Sequence, residues 1–318
     1  MKYPKARISF LVKKENVDLL KCNPYINQLI IFDKAEGFRG FLKLRKKIRK
    51  EHFDWVIDLH NNLRVNLLKA SLWFPQVSTY SKQSIRRHLL VIFGTNFFRE
   101  AKPVYLKYFE AVQKHEIEYD GKGTDVMTSD AESGNIREML ISDGWYSGQP
   151  VVVICPAASY TNKRWLPQGF ADLADSLIVE MDARIIFLGG PKDLDYCEDI
   201  LLMMKHQTYN YAGLLSLSES ASMLGLANLV VSNDSGMMHL AQSQKRPVVA
   251  IFGPTTRELG FFPLPELSEV IEKDVYCRPC TTKGLNRCPR ENFDCMNRIE
   301  TRQVLKACRK MIIRPFRH

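Results

Sequence analysis

The 318-residue sequence contains no apolar run of the roughly 18 residues that a membrane-spanning helix requires. Its opening, MKYPKARISF, has neither the apolar stretch nor the small-residue cleavage site of a secretion signal. The G-x-G-x-x-G fingerprint and the P-loop lysine motif are also missing, as are internal repeats and low-complexity tracts. We therefore expect a cytoplasmic globular protein. The sequence favours neither a dinucleotide-dependent enzyme nor a P-loop nucleotidase.

The charge of the chain is unbalanced: 45 Lys and Arg residues stand against 35 Asp and Glu residues, for a formal net charge of +10. A basic surface attracts phosphate groups on nucleic acid, anionic lipid or a phosphorylated small molecule. Taken one cluster at a time, the cations are typical of solvated helix faces, as in the run from Lys43 to Lys50. They do not gather with interleaved aromatics on one predicted element, which argues against a nucleic-acid-binding protein.

The cysteines fall into two groups. Four stand alone and, in a reducing compartment, are typical of small buried hydrophobes: Cys22, Cys155, Cys197 and Cys308. The other four follow closely on one another in the pattern Cys277-x2-Cys280-x7-Cys288-x6-Cys295. Thiolates at such spacings can bind zinc tetrahedrally in a structural site, and reduced thiols or a disulfide are the alternatives.

Strand-like and helical runs alternate in two stretches of the chain, the pattern of parallel sheets covered by helices on both faces. In the second stretch, four runs are almost wholly apolar, as buried central strands are: 151–155, 183–188, 228–232 and 247–252. We predict an α/β protein of two Rossmann-like, doubly wound domains. The predicted domains are 1–148 and 149–300, followed by a helix over 301–318 that either closes the second domain or crosses back to the first.

The most informative motif follows the third apolar run and reads Ser232-Asn233-Asp234-Ser235-Gly236-Met237-Met238-His239. A strand ends, a D-S-G turn follows and a helix begins. Asp234 or Ser235 can cap that helix, and Gly236 lets a ligand approach the backbone. The free N–H groups at the helix start would hold an anion such as a diphosphate, with His239 facing the same ligand. A plain helix cap beside a packed histidine explains the turn alone equally well.

Two other strand ends carry motifs. After the first run comes PAASYTNKRWLP (156–167), where Lys163 is placed to neutralise charge on a leaving phosphate and Trp165 to fix the loop. Exposed cations ahead of a helix would explain that loop as well. The second run leads into FLGGPKD (187–193), whose Gly-Gly turn allows close approach of a base or ribose. Because ligands of open α/β sheets bind at the carboxyl ends of strands, we expect these motifs to border the ligand.

These motifs resemble the donor half of the bacterial ADP-heptosyltransferases of glycosyltransferase family 9. The resemblance extends to YAGLLSLSE (211–219) and FGPT (252–255). In the N-terminal half, FDWVIDLHNNLR (53–64) and YSKQSIRRHLL (80–90) resemble the family's acceptor loop and its basic acceptor-side helix. The matches follow the family's order along nearly the whole chain.

The resemblance implies the GT-B fold, with two domains facing a central cleft. It implies an inverting, metal-independent transfer of heptose from ADP-heptose to the lipopolysaccharide inner core or a related glycan, with no cofactor required for catalysis. Preorganised donors would stabilise the charge on the departing phosphate. The partners would be the ADP-sugar, an anionic lipid-linked glycan acceptor and, by peripheral contact, the cytoplasmic face of the inner membrane, with no nucleic acid.

Carried over by position, the resemblance also assigns roles to residues. Lys163 would stabilise the leaving phosphate, Asp193 would lie near the ribose and Leu215 against the adenine. The full donor-binding set would be Ser159, Lys163, Asp193, Leu215, Asp234, Ser235, Gly236 and His239. The acceptor-binding set would be Asn61, Asn62, Arg64, Lys82, Arg86 and Arg87.

One departure from the family concerns the start of the sequence. Family members usually begin with a strand and a Gly-Asp-containing loop whose Asp is the expected general base, whereas this sequence begins at what matches the second strand. We therefore expect the base to lie before Met1, with structural roles favoured for the two conceivable substitutes, Asp58 and His60. The alternative functions are an impaired or non-catalytic nucleotide-sugar binder and a family member that uses another sugar.

Overall fold

The computed structural model describes residues 2–312, which divide by their contacts into two compact units. The first unit holds the described chain up to Ser84 together with Lys102–Gly123. The second unit holds Ile85–Ala101 and the described chain from Thr124 onward. The domain limits drawn from the sequence at residues 148 and 300 stay predictions.

The first unit contains two parallel strand pairs, β1 with β2 and β3 with β4. The elements up to residue 123 are β1 (Ser9–Lys13), β2 (Gln28–Phe32), α1 (Gly37–Lys50), β3 (Trp55–Asp58), α2 (Leu63–Ala70), β4 (Gln76–Thr79), α3 (Ser84–Phe93) and α4 (Val104–Glu110). Of these, α3 belongs to the second unit apart from its first residue. A small buried cluster supports β2, α1 and α2, made of Ile30, Phe32, Leu44, Ile48 and Leu68.

The second unit is built on one six-stranded parallel sheet. Its elements are α5 (Asp130–Ser142), β5 (Val151–Cys155), α6 (Pro167–Met181), β6 (Arg184–Phe187), α7 (Leu194–Leu201), β7 (Tyr209–Asn210), α8 (Leu217–Leu226), β8 (Leu229–Asn233), α9 (Gly236–Ser243), β9 (Val248–Phe252), β10 (Ser268–Glu272), α10 (Asp294–Asn297) and α11 (Thr301–Ile312). The strand order across the sheet is β7-β6-β5-β8-β9-β10. Counted from the first strand of the unit this is 3-2-1-4-5-6, the order of the Rossmann fold.

Local sequence explains why these segments form these elements. Every residue of β5, β8 and β9 is buried, as their continuous apolar runs predict for strands covered on both faces. Pro167 stands at the start of α6, where its missing N–H costs nothing and its fixed φ favours the helix. The helices α5 and α8 each begin with a capping box, Ser129 with Glu132 and Ser216 with Glu219.

The last described helix completes the core of the second unit. Helix α11 packs against α6 and against β8, β9 and β10, and Val304 and Cys308 on it are fully buried. Burying an aliphatic side chain of this size stabilises a fold by about 1.5–3 kcal/mol. Residues 313–318, the remainder of the helix predicted from the sequence, lie outside the described residues. Across residues 2–312, no helix has both the length and the apolar character that crossing a membrane demands.

Candidate active site

The strand order of the second unit identifies the crevice where a ligand belongs. Strands β5 and β8 are neighbours at the centre of the sheet, and the chain winds away from them in opposite directions. In open α/β sheets a crevice opens at this switch point, outside the carboxyl ends of the two strands. The loop after β5 and the turn after β8 are the two segments that border it.

Asp234, the first residue after β8, joins three loops. Its carboxylate accepts a hydrogen bond from Nζ of Lys163 at 2.6 Å and another from Oγ1 of Thr255 at 2.6 Å. Lys163 lies on the loop after β5, and Thr255 lies on the loop after β9. The side chains of Lys163 and Asp234 are only 12% and 5% exposed, so this is a largely buried ion pair. Removing one partner would leave the other charge buried without compensation.

The loop that carries Lys163 is fixed by a buried tryptophan. The backbone N–H of Trp165 donates to Oδ1 of Asn233 at 3.0 Å, and its indole Nε1 donates to the carbonyl of Ile299 at 3.1 Å. The ring packs edge-on against Phe170, with centroids 5.0 Å apart. A Cβ built on Gly169 would lie 2.6 Å from the same ring. The role predicted for Trp165, to fix the loop, agrees with this packing.

The start of α9 opens towards the crevice. Ser235 is its N-cap residue but makes no side-chain capping bond, and its Oγ lies 3.1 Å from Oγ of Ser232 instead. The first N–H groups of a helix have no partner within it, so here they are left for a ligand. A Cβ built on Gly236 would meet no atom within 4 Å, so space is open above the first residue of the helix.

These features surround a cavity of about 230 Å³. Six of the eight donor-binding residues predicted from the sequence line it: Ser159, Lys163, Asp234, Ser235, Gly236 and His239. The rest of the lining includes residues that were not predicted: Tyr160, Thr255, Thr256, Phe261, Thr282 and Lys283. A lysine, a second lysine and an open helix N-terminus around one cavity make it suited to an anion.

His239 lies one turn into α9, with its ring open to the cavity. The protein packed around it lowers the pKa of its imidazole below the ordinary 6.5; the Asp234 carboxylate opposes this shift and the Lys163 ammonium adds to it. The ring is therefore neutral at neutral pH in the free protein. A neutral imidazole can donate one hydrogen bond to an anion without bringing a full charge to the site.

Asp193 and Leu215, the two other predicted donor residues, do not line this cavity. Asp193 follows β6, and its Oδ2 accepts a hydrogen bond from the backbone N–H of Gly190 at 2.9 Å. Leu215 is half-buried, next to the residue that caps α8. Both lie on the side of β5 away from Asp234, and their contacts with ribose and adenine stay predictions.

Comparison with known proteins decides the family. The model of glycosyltransferase family 9 (heptosyltransferase) matches residues 41–288. The chain belongs to glycosyltransferase family 9. It is 25% identical over 260 residues to the lipopolysaccharide core heptosyltransferase OpsX of Haemophilus influenzae, a match that covers 79% of this chain and 71% of that protein.

Solved structures agree with the family assignment at the level of the fold. The family 9 glycosyltransferase of Veillonella parvula superposes with a TM-score of 0.79 at 23% identity, covering 96% of this chain and 88% of that one. The ADP-heptose lipopolysaccharide heptosyltransferase II of Escherichia coli gives a TM-score of 0.75 at 22% identity, covering 98% and 91%. The protein is thus a glycosyltransferase with the predicted GT-B fold.

The predicted acceptor residues of this glycosyltransferase are divided between the two units. In the first unit, Asn61 donates from Nδ2 to the carbonyl of Tyr80 at 3.0 Å, and Asn62 caps α2 through the N–H of Val65. The guanidinium of Arg64 lies 5.1 Å from the ring centroid of Phe32.

Lys82 also belongs to the first unit, whereas Arg86 and Arg87 group with the second. Arg87 lies over the ring of Phe261, 5.2 Å from its centroid, and Phe261 lines the cavity at the start of α9. The acceptor roles of all six residues stay predictions.

Asp58 has the geometry of a structural residue. Its carboxylate accepts from Nζ of Lys69 at 2.6 Å and from the N–H groups of His60 and Asn61 at 2.9 and 2.7 Å. Burial works against its ionisation, but the bonds from Lys69 and the two N–H groups outweigh it and lower the pKa of Asp58. A carboxylate held ionised in this way is a weak base, in line with the structural role expected for it.

The four clustered cysteines do not support the predicted zinc site of Cys277, Cys280, Cys288 and Cys295. In the described part of the chain, no three His, Cys, Asp or Glu side chains are arranged to hold a metal ion, and all four cysteines are free thiols. Cys295 is buried at the start of α10, within the main core, while Cys288 is half-buried and close to Asn292. Burial and the neighbouring thiols raise the pKa of Cys295 to about 11, which keeps it protonated.

The cysteine-rich segment forms part of the wall of the cavity at the start of α9. The N–H of Asn162 donates to the carbonyl of Leu285 at 3.1 Å, and the N–H of Leu285 donates back to Oδ1 of Asn162 at 2.8 Å. Gly284, at φ +132°, packs so closely that a Cβ there would lie 2.4 Å from the Tyr160 ring. This docking places Thr282 and Lys283 on the cavity. No local pattern predicts Thr282 and Lys283 as site residues, because they lie far from Lys163 along the chain.

Proposed function

We propose that the protein transfers heptose from ADP-heptose to the lipopolysaccharide inner core or a related anionic, lipid-linked glycan, at the cytoplasmic face of a membrane. The observation that carries the proposal is the meeting of Lys163, Asp234 and the open N-terminus of α9 at one cavity. The names of the relatives from Haemophilus influenzae and Escherichia coli support this choice of sugar and acceptor.

The donor diphosphate is placed at the start of α9. Its oxygens accept hydrogen bonds from the N–H groups of Gly236 and the residues after it, where the helix dipole favours negative charge. Lys163 and Lys283, which both line the cavity, supply full positive charges. The adenosine extends towards the ends of β6 and β7, where Asp193 and Leu215 lie.

The transfer is an inverting displacement at the anomeric carbon. The acceptor hydroxyl attacks from the face opposite ADP and gives its proton to a general base, the glycosidic bond to the β-phosphate breaks, and negative charge grows on the departing phosphate oxygen. Lys163, the α9 N–H groups and His239 stabilise that charge where it develops, which is how preorganised donors lower a barrier. These groups provide positive charge at the leaving group, so we propose that transfer does not depend on a metal ion.

Calorimetry with ADP, ADP-heptose and a UDP-sugar tests the donor, and assays of ADP release with lipopolysaccharide core acceptors test the reaction. ADP and ADP-heptose should bind, the UDP-sugar should bind much more weakly, and Gly236→Val should weaken ADP binding by filling the space above α9. Preferential binding of the UDP-sugar would reject the donor assignment. Donor binding without sugar transfer to any core acceptor would reject the proposed transfer and favour the non-catalytic nucleotide-sugar binder.

A further inference from the structure

Helix α1 of the first unit is the most strongly basic element of the protein. Its sequence, GFRGFLKLRKKIRK, contains seven Lys and Arg residues and no Asp or Glu. Lys43 is paired with Glu36, and Arg45 donates to the carbonyl of Ser71 at 3.2 Å. The other five make no ion pair within residues 2–312: Arg39, Lys46, Lys47, Arg49 and Lys50. From the sequence alone, this run is typical of a solvated helix face.

The exposed face of α1 also carries large apolar side chains. Gly40, Leu44 and Ile48 are the buried residues of the helix, while Phe38 is 74% exposed and Leu42 is 46% exposed. Single exposed apolar side chains are ordinary, but neighbouring ones on one helix face mark an interaction surface.

The apolar and basic side chains form adjacent stripes. At 3.6 residues per turn, Phe38, Leu42, Arg45 and Arg49 fall within an arc of about 60° along a helix about 21 Å long. The next arc holds Arg39, Lys43, Lys46 and Lys50.

A tryptophan continues the apolar stripe past the end of the helix. Trp73 follows α2 and is 83% exposed, and it lines the same cavity of about 590 Å³ as Arg45 and Arg49. It is the only exposed one of the four tryptophans. Tryptophan is the side chain that most favours the boundary between lipid headgroups and acyl chains. We call the surface made by the outward face of α1 together with Trp73 the α1 face.

We propose that the α1 face binds the surface of an anionic phospholipid bilayer. The unpaired cations are complementary to lipid phosphates, while Phe38, Leu42 and Trp73 enter the headgroup region beside them, as the apolar side chains of interfacial helices do. A nucleic acid would satisfy the cations but offers the aliphatic Leu42 nothing to bury against. Vesicle binding by this surface is independent of the sugar that the enzyme transfers.

Co-sedimentation of the full chain with vesicles tests the proposal. The protein should bind vesicles containing about 30% phosphatidylglycerol in phosphatidylcholine, and not pure phosphatidylcholine, because anionic lipid supplies the attraction. Raising the salt to about 0.5 M should release it, since this shortens the screening length to a few ångströms. On binding, the fluorescence of Trp73 should shift to the blue, and Trp73→Phe should lose that shift.

Two triple variants distinguish binding by the α1 face from attraction by the net charge of the whole protein. Replacing Lys46, Arg49 and Lys50 together by Ala should weaken binding on the order of 100-fold, since each basic residue near an anionic surface contributes about fivefold. The matched control replaces the exposed Lys114, Lys205 and Lys306 by Ala and should bind as the parent does. The Trp73→Ala variant should bind vesicles more weakly than the parent but have the same melting temperature.

Four outcomes would overturn the proposal. Equal losses in the two triple variants would show that binding follows net charge alone. Equal binding to neutral and anionic vesicles, or none to either, would exclude anionic lipid as the ligand of the α1 face. Tight binding of duplex DNA by the α1 face, without vesicle binding, would assign the surface to nucleic acid.

Discussion

At the scale of single residues, the Lys163–Asp234 pair determines how the site responds to donor binding and to substitution. The lysine ammonium is held by a buried carboxylate that also accepts a hydrogen bond from Thr255. A donor diphosphate in the cavity would compete with Asp234 for this charge. The pair thus keeps the lysine in place before the donor arrives.

Lys163→Ala should lower kcat by about 10²–10³-fold while changing the acceptor KM little, because the charge matters most as the phosphate departs. It should also lower the melting temperature, since Asp234 keeps its burial and loses its counter-charge. Steady-state kinetics and thermal unfolding measure both effects. Lys306→Ala, on the exposed side of α11, is the control and should change neither. An unaltered kcat in the lysine variant would show that Lys163 takes no part in the chemical step.

His239 should make donor binding depend on pH. Its pKa is lowered below 6.5 in the free protein, and a diphosphate beside the ring would raise it again. The complex then binds more protons than the free protein, so ADP affinity should increase as the pH falls through the pKa of the complex. The increase should level off once the pH lies below the pKa of the free protein.

Calorimetric titration of ADP at a series of pH values measures this dependence. His239→Gln should retain only the part that comes from the phosphate of ADP itself. Identical pH profiles for the parent and the variant would show that the ring does not contact the diphosphate.

At the scale of elements, two helix-interior glycines should respond in opposite directions to the same substitution. Gly169→Ala in α6 should destabilise the fold by about 1–3 kcal/mol, because the new Cβ would meet the buried Trp165 ring at 2.6 Å. Gly134→Ala in α5, where a Cβ meets nothing within 4 Å, should stabilise it by about 0.5–1 kcal/mol.

Urea unfolding of both variants checks the signs. The Gly169 variant should also lose ADP affinity, since Trp165 fixes the loop of Lys163, whereas the Gly134 variant should keep it. A stabilising effect of Ala at position 169 would mean that the tryptophan ring moves freely.

The elements that the sequence predicts well are those with a strong local pattern. The continuous apolar runs place β5, β8 and β9 within a residue of their observed limits. The edge strands β7 and β10 were not predicted, because the first has only two residues and the second, SEVIE, is partly charged and nowhere fully buried. The motifs that follow β5 and β8 together contain the six predicted residues that line the cavity. This is because the carboxyl ends of the strands of a parallel sheet meet at one edge.

The rest of the site depends on contacts that no local pattern encodes. Lys283 reaches the cavity because the cysteine-rich segment docks on Asn162 and Tyr160. The spacing of the cysteines allowed a metal site, whereas in the described part of the chain all four are free thiols in no arrangement that could hold a metal ion. Such contacts join residues that are far apart in the sequence, and tertiary packing determines them.

At the scale of the whole molecule, the two units differ in the size of their cores. The central cluster of the second unit includes side chains from β5, β6, β8, β9 and the helices α6 and α11, whereas the cluster of the first unit has five buried members. Hydrogen exchange should therefore be faster in β1–β4 than in β5, β8 and β9, because opening costs less where little apolar area is buried.

Mass spectrometry of exchanged peptides measures this difference. Saturating ADP should slow exchange at 159–166 and 234–239 and leave β1–β4 unchanged, because a ligand stabilises the state to which it binds. Equal protection of all strands in the free protein would contradict the difference between the two cores.

The position of α11 has a consequence for synthesis of the protein in the cell. Strand β5 is the first of the six sheet strands to leave the ribosome, and α11 is the last described element to do so. Until that helix emerges, α6 and strands β8–β10 lack the side chains of Val304 and Cys308 that cover them. A nascent chain that stalls before Thr301 therefore presents a large apolar surface, and chaperones and proteases recognise such surfaces. The second unit can complete its fold only after residue 312 has been made, when the chain of the first unit has already been synthesised.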